Sequence, residues 1–235
     1  MKNKIQILEL LRFVSMSEVF LIHFMNDYIH SEQGWRYLMV SGQLGVAFFF
    51  MISAYLLVIT TKVDENGFNA VSFYKRKAVS LLPKYELILL AIFVAAKVMP
   101  SLFRTFNISN TNFIKSMFLI PYVTEGVPFV CPMLPVAWTL IVQGMLFILW
   151  GICIKITKST DKTVSIIVGL LLFAYLFGQL YKSNNVIIYA YCRFYNLYFV
   201  AGLLTAKIEK NHFKRNVCEN RRGGGTYQLP YALRG

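Results

Sequence analysis

Apolar residues in this chain run in long blocks broken by short basic segments, and the block lengths predict membrane-spanning helices. Stretches near 5–26, 43–61, 79–99, 135–154, 163–181 and 186–206 each approach or exceed the roughly 18 apolar residues that span a bilayer as a helix. The third carries Pro83, Lys84 and Glu86 in its first turns, and proline is tolerated there because the first helical NH groups lack intrahelical partners. FIKSMFLIPY, from Phe113 to Tyr122, is too short to cross and is expected to be interfacial or re-entrant. The three prolines Pro128, Pro132 and Pro135 predict an extended lead-in to the fourth span. The expected fold is therefore an all-α, polytopic transmembrane helix bundle of about six spans.

The first block is not a plain anchor, because Glu9, Arg12, Glu18 and His23 interrupt it. Ionisable groups at membrane depth are costly and normally face a protein interior or a hydrated cavity. Arg12 and His23 stand close to three helical turns apart, which places them on one face, offset by about 20° and separated by roughly 16 Å along the axis. Such a face, with a fixed cation and a titratable base, suits chemistry on an anionic or carbonyl-bearing ligand. The MKNK start resembles a signal peptide, but Glu9 and Arg12 break its apolar core and no small-residue cleavage site follows, so the segment is expected to be retained.

Composition supports the membrane reading. The chain is 57% hydrophobic, above the about 45–50% of soluble domains, and its mean hydropathy is +0.54. The net charge of +13 does not indicate nucleic-acid binding, because the basic residues cluster between apolar runs as they do in cytoplasmic loops. Lys2 and Lys4, the flank containing Lys62, Lys75, Arg76 and Lys77, the loop with Lys155, Lys158 and Lys162, and the basic tail all fall on one side in a six-span topology. Both termini are expected to be cytoplasmic. Residues 1–206 form the expected transmembrane domain, and 207–235 a basic, disordered tail ending in RRGGGTYQLPYALRG. A frameshifted or artificially ended reading frame would look similar.

The cysteines Cys131, Cys153, Cys192 and Cys218 lack CxxC spacing, so neither a disulfide framework nor a metal site is expected. No Walker-type loop or dinucleotide fingerprint is present.

Four patches, in order, carry a family resemblance: ELLR (Glu9–Arg12) with His23, GVAFFFMISAYLL (Gly45–Leu57), FYKRKAVSLLPKY (Phe73–Tyr85) and PVAWTLIVQGMLF (Pro135–Phe147). Together they resemble the N-terminal part of the membrane acyltransferase 3 family, polytopic enzymes that acylate cell-surface glycans and related molecules. The resemblance covers residues 5–206 and comprises fewer spans than members usually have. It implies transfer of an acyl group, usually acetyl, from a cytoplasmic CoA thioester to a hydroxyl of a sugar or lipid-linked glycan in a multi-pass, bacterial inner-membrane protein. No cofactor is implied; acyl-CoA is a co-substrate. The implied partners are membrane lipids, acyl-CoA and the glycan acceptor, with no nucleic acid.

Under that resemblance His23 is the catalytic base, since a neutral imidazole can take the proton of an attacking hydroxyl. A His near a helix end can equally reach to the headgroups. Arg12 and Arg76 are donor-binding candidates; the alternatives are an intrahelical pair with Glu9 for Arg12 and the ordinary positive-inside signal for Lys75–Lys77. Trp138 and Gln143 are substrate-site candidates with Thr139 beside them, in a polar cavity expected between spans one, two and four; Trp138 can instead be an interfacial anchor.

Two departures weigh against activity. Gln143 stands where the family tends to place Glu, and an amide cannot shuttle a proton at neutral pH. Ser80 stands where relatives often carry another basic residue. Ser53 and Ala54 suit close helix approach, and Ser53 has no identifiable base. Arg193, inside the sixth block, needs a partner from elsewhere. The alternatives to an acyltransferase are a truncated or degenerate, inactive member and a non-enzymatic helical subunit of a transport or export complex.

Overall fold

A computed structural model describes residues 2–25, 32–63, 67–100, 109–122, 133–134, 137–181 and 185–222, with backbone alone at 2, 20–25, 32–33, 35–41, 189 and 214–222. The elements are α1 (Lys2–Met25), α2 (Glu32–Thr60), α3 (Ala70–Val98), α4 (Asn110–Met117), α5 (Trp138–Thr157), α6 (Thr160–Leu180), α7 (Val186–Tyr191) and α8 (Tyr195–Arg222). No strand occurs among the described residues. Four helical segments, Gly42–Thr60, Ala70–Val98, Trp138–Thr157 and Thr160–Leu180, are long and apolar enough to cross a membrane. The expected first and sixth spans are not among these four; α1 is helical but carries Glu9, Arg12 and Glu18 within its apolar block.

Helix boundaries differ from the sequence expectation for local hydrogen-bonding reasons. α3 starts at Ala70, ahead of the expected 79, because the Asn69 side chain caps it by accepting from the Ser72 amide at 2.9 Å. Pro83 consequently lies inside α3 and not in its first turns. The expected short segment, 113–122, is only half helical: its first five residues fall in α4, eight residues capped by Ser109, which accepts from the Asn112 amide at 3.0 Å. A helix of that length rises only about 12 Å, too little to cross.

The expected sixth span is not one helix. The chain leaves helical geometry at Cys192–Phe194, so Arg193 lies in a break and not inside a span. Asn196 bridges that break: its Nδ2 donates to the Tyr191 carbonyl at 2.8 Å, serving an acceptor that an unbroken ladder would have used. α8 then continues to Arg222, past the tail boundary expected at 206; residues 223–235 lie outside the described residues, as does the proline-rich stretch 123–132.

The chain divides into two compact units, Met1–Phe68 with Ile156–Leu172 and Leu197–Gly235, and Asn69–Lys155 with Phe173–Asn196. In the first, α1 packs on α2, and α2 packs on α8 through Phe50 and Phe199, whose ring centroids are 4.6 Å apart. Gly202 permits that approach, since a Cβ there would collide with the Met51 carbonyl oxygen. In the second, Tyr85 and Leu89 of α3 form a buried cluster with Met133 and Ala137. α4 lies against α3, where Phe113 stacks on Phe93 at 4.2 Å.

Candidate functional site

The inward face of α1 is set by helical spacing. Ser15 and Val19 are buried, and Arg12, one turn earlier, is half-buried. The Arg12 guanidinium lies 4.8 Å from the centroid of the buried Phe49 ring on α2. A planar, weakly hydrated guanidinium suits an aromatic face better than a compact ammonium would. Glu9 stands three residues earlier on the same helix.

Gly45 lets α1 and α2 come this close. A Cβ there would stand 2.9 Å from the Ser15 carbonyl oxygen, 3.2 Å from Val19 Cγ2 and 3.3 Å from Glu18 Oε2. The Glu18 carboxylate therefore also borders the α1–α2 contact. Position 23 shares the Arg12 face of this unbroken helix by register; the His23 side chain lies outside the described residues. The buried Ser53 hydroxyl donates to the Phe49 carbonyl at 2.6 Å, so it is satisfied within its own helix. Ala54 is fully buried and meets Gly202 of α8, the close approach that small residues allow.

The remaining predicted residues belong to the second unit. Lys75 and Arg76 on α3 are exposed, and so is Ser80. Lys77 departs from this basic run: its ammonium lies over Phe73 at 5.7 Å and over Phe147 of α5 at 4.8 Å. Trp138 opens α5, half-buried, with its ring 5.7 Å from that of Tyr195. Thr139 and Gln143, one turn apart on the inner face of α5, are both buried, with Gln143 1% exposed. Among the described residues, no group of three His, Cys, Asp or Glu side chains could hold a metal ion.

Two polar clusters escaped sequence reasoning. In the first unit, Lys4 pairs with Glu209, and Glu209 accepts the Tyr55 hydroxyl. Lys4 also lies 5.6 Å from the Tyr55 ring. These bonds, the one from Lys4 foremost, hold the Glu209 carboxyl below the usual carboxylate range. The bond to Glu209 in turn raises the Lys4 ammonium. No sequence signal links residues so far apart. In the second unit, buried Ser116 accepts the Met133 amide at 3.0 Å and shares a 3.0 Å hydroxyl contact with Tyr122, while its carbonyl accepts the Tyr85 hydroxyl at 2.7 Å.

With the geometry in place, comparison with known proteins supplies a family. The family described as an acyltransferase domain matches residues 5–217, most of the chain, with Arg12, Gly45 and Phe49 inside the match. Neither a curated protein nor a solved structure matches the chain.

Proposed function

Because this chain belongs to the acyltransferase 3 family, we propose that it transfers an acyl group, usually acetyl, from acyl-CoA to a hydroxyl of a cell-surface glycan or lipid-linked sugar. It is an integral membrane protein, and in this reading it has six spans, both termini in the cytoplasm and a place in the bacterial inner membrane. The acceptor oxygen bonds to the thioester carbonyl carbon, and the carbon–sulfur bond breaks. His23 takes the hydroxyl proton during attack and returns it to the departing CoA thiolate. Arg12 meets negative charge on the donor, and exposed Arg76 engages its phosphates. Trp138 and Gln143 are the substrate-contacting residues of the second unit. Lipids of the bilayer, acyl-CoA and the glycan acceptor are the partners.

The observation that supports this most is the α1 face: a half-buried guanidinium turned onto α2, with position 23 on the same face of one continuous helix. His23→Ala tests it. Membranes carrying that variant should insert the protein normally and fail to transfer labelled acetyl from acetyl-CoA. Undiminished transfer would remove His23 from the mechanism.

A second reading, a member without turnover, draws on Gln143, whose buried amide cannot take up a proton at neutral pH. Gln143→Glu separates the two: acetyl transfer that appears only in this variant favours the inactive reading, and transfer by the unaltered chain excludes it.

A further inference from the structure

The first unit contains a cavity of about 300 Å³ where α1, α2 and α8 meet. Leu8, Phe48, Met51 and Ile52 form its apolar wall. Thr205 also borders it but directs its hydroxyl to the Ala201 carbonyl at 2.8 Å, within its own helix. The polar end is the Lys4–Glu209–Tyr55 network, where the Lys4 and Glu209 side chains keep 54% and 45% exposure.

Water fills such a space poorly, because a bound water needs two to four polar partners and most of this wall offers none. An empty cavity would deprive its wall atoms of dispersion contacts. In an integral membrane protein the bilayer itself supplies a matching occupant, a hydrocarbon chain. The charges at the open end narrow the choice. An anionic headgroup would meet Lys4 favourably and Glu209 unfavourably, and a purely cationic one the reverse. A headgroup carrying both a phosphate and a primary ammonium complements both side chains.

We propose that this cavity holds one acyl chain of a zwitterionic phospholipid, its phosphate against Lys4 and its ammonium against Glu209. The site requires only that the chain sit in a bilayer, so it holds whether or not the protein turns over acyl-CoA.

Photo-crosslinking of the full chain in nanodiscs tests this. The probes are phosphatidylethanolamine and phosphatidylglycerol with the same tail-end diazirine, and labelled positions are read by peptide mapping. The exposed α3 face bearing Leu87 and Val94 serves as the control for lipid that merely surrounds the protein. The ethanolamine probe should label α2 around Met51 above that control. Unlabelled phosphatidylethanolamine should compete the excess away, and phosphatidylglycerol should not. Met51→Trp and Thr205→Phe fill the cavity and should each lower the α2 label by about tenfold, a factor worth 1.4 kcal/mol, with α3 unchanged. Glu209→Gln should erase the preference between headgroups. Labelling of α2 no stronger than α3, or equal competition by the two lipids, would overturn the proposal on the unaltered chain alone, whether or not the variants fold.

Discussion

The Arg12 guanidinium lies 4.8 Å from the centre of the Phe49 ring, so the cation of the first helix faces the second helix of its own unit. This contact gives Arg12 a stabilising role that is separable from donor binding. A cation over an aromatic face contributes about 0.5–2 kcal/mol, depending on desolvation.

Arg12→Lys keeps the charge and discards the planar fork. If Arg12 also engages the donor, this variant should raise KM for acyl-CoA by about tenfold, equivalent to 1.4 kcal/mol. Phe49→Leu should lower thermal stability in detergent and leave that KM nearly unchanged. Steady-state transfer in membranes and a thermal melt of each variant distinguish the roles. An unaltered KM in Arg12→Lys would confine Arg12 to packing.

Much of this architecture was legible in the chain, and the failures share a cause. Apolar block length located α1, α2, α3, α5 and α6, since hydrocarbon burial acts over a whole segment and does not depend on where that segment ends; the sixth block instead holds α7, a break and the start of α8. The ends were misplaced because single side chains decide them. Asn69 captures an amide and starts α3 early, and Asn196 takes over a carbonyl where α7 stops. The spacing of Arg12 and His23 was readable because helical register is local; the structure places Arg12 on an inward face but does not describe the His23 side chain. The pairing of Lys4 with Glu209 was not, because it depends on the docking of α8 against α2.

That pairing predicts a pH dependence on both sides. The Glu209 carboxyl is held below its ordinary value, so its contribution is present above the unfolded value of about 4.3 and is lost as pH falls through the depressed folded value. The Lys4 ammonium is raised, so its contribution is present below about 10.4 and is lost as pH rises through the folded value. Both side chains are substantially exposed, so the effect is small and screened by salt. Melting temperature against pH should fall less steeply on the acid side for Glu209→Gln than for the unaltered chain. Parallel acid limbs would show that the ion pair contributes nothing to stability.

In the second unit, Ser116 holds three partners at once. Ser116→Ala would remove the hydroxyl that accepts the Met133 amide and meets Tyr122, taking the acceptor from a buried amide at a cost of about 1–3 kcal/mol. Tyr85→Phe removes one hydrogen bond to the Ser116 carbonyl and should cost about 1 kcal/mol. Because both changes touch one network, their sum should differ from the double variant by about 0.5 kcal/mol or more. Denaturation of the four proteins in matched detergent measures this, and strict additivity would mean that the hydrogen bonds act independently.

Two glycines make opposite predictions from the same substitution. At Gly45 an added methyl would lie 2.9 Å from a backbone oxygen of Ser15, which cannot rotate away, so α1 itself must shift. Overpacking of this kind costs about 1–3 kcal/mol, and the shift would carry Arg12 off the Phe49 ring. At Gly144 an added methyl would meet nothing within 4 Å. There the change removes the helix penalty of glycine and should be neutral or stabilising by up to about 1 kcal/mol. Gly45→Ala should therefore lower melting temperature and acyl transfer together, while Gly144→Ala should lower neither. Equal melting temperatures for the two variants would mean that α1 and α2 are not held at the separation that places Arg12 on Phe49.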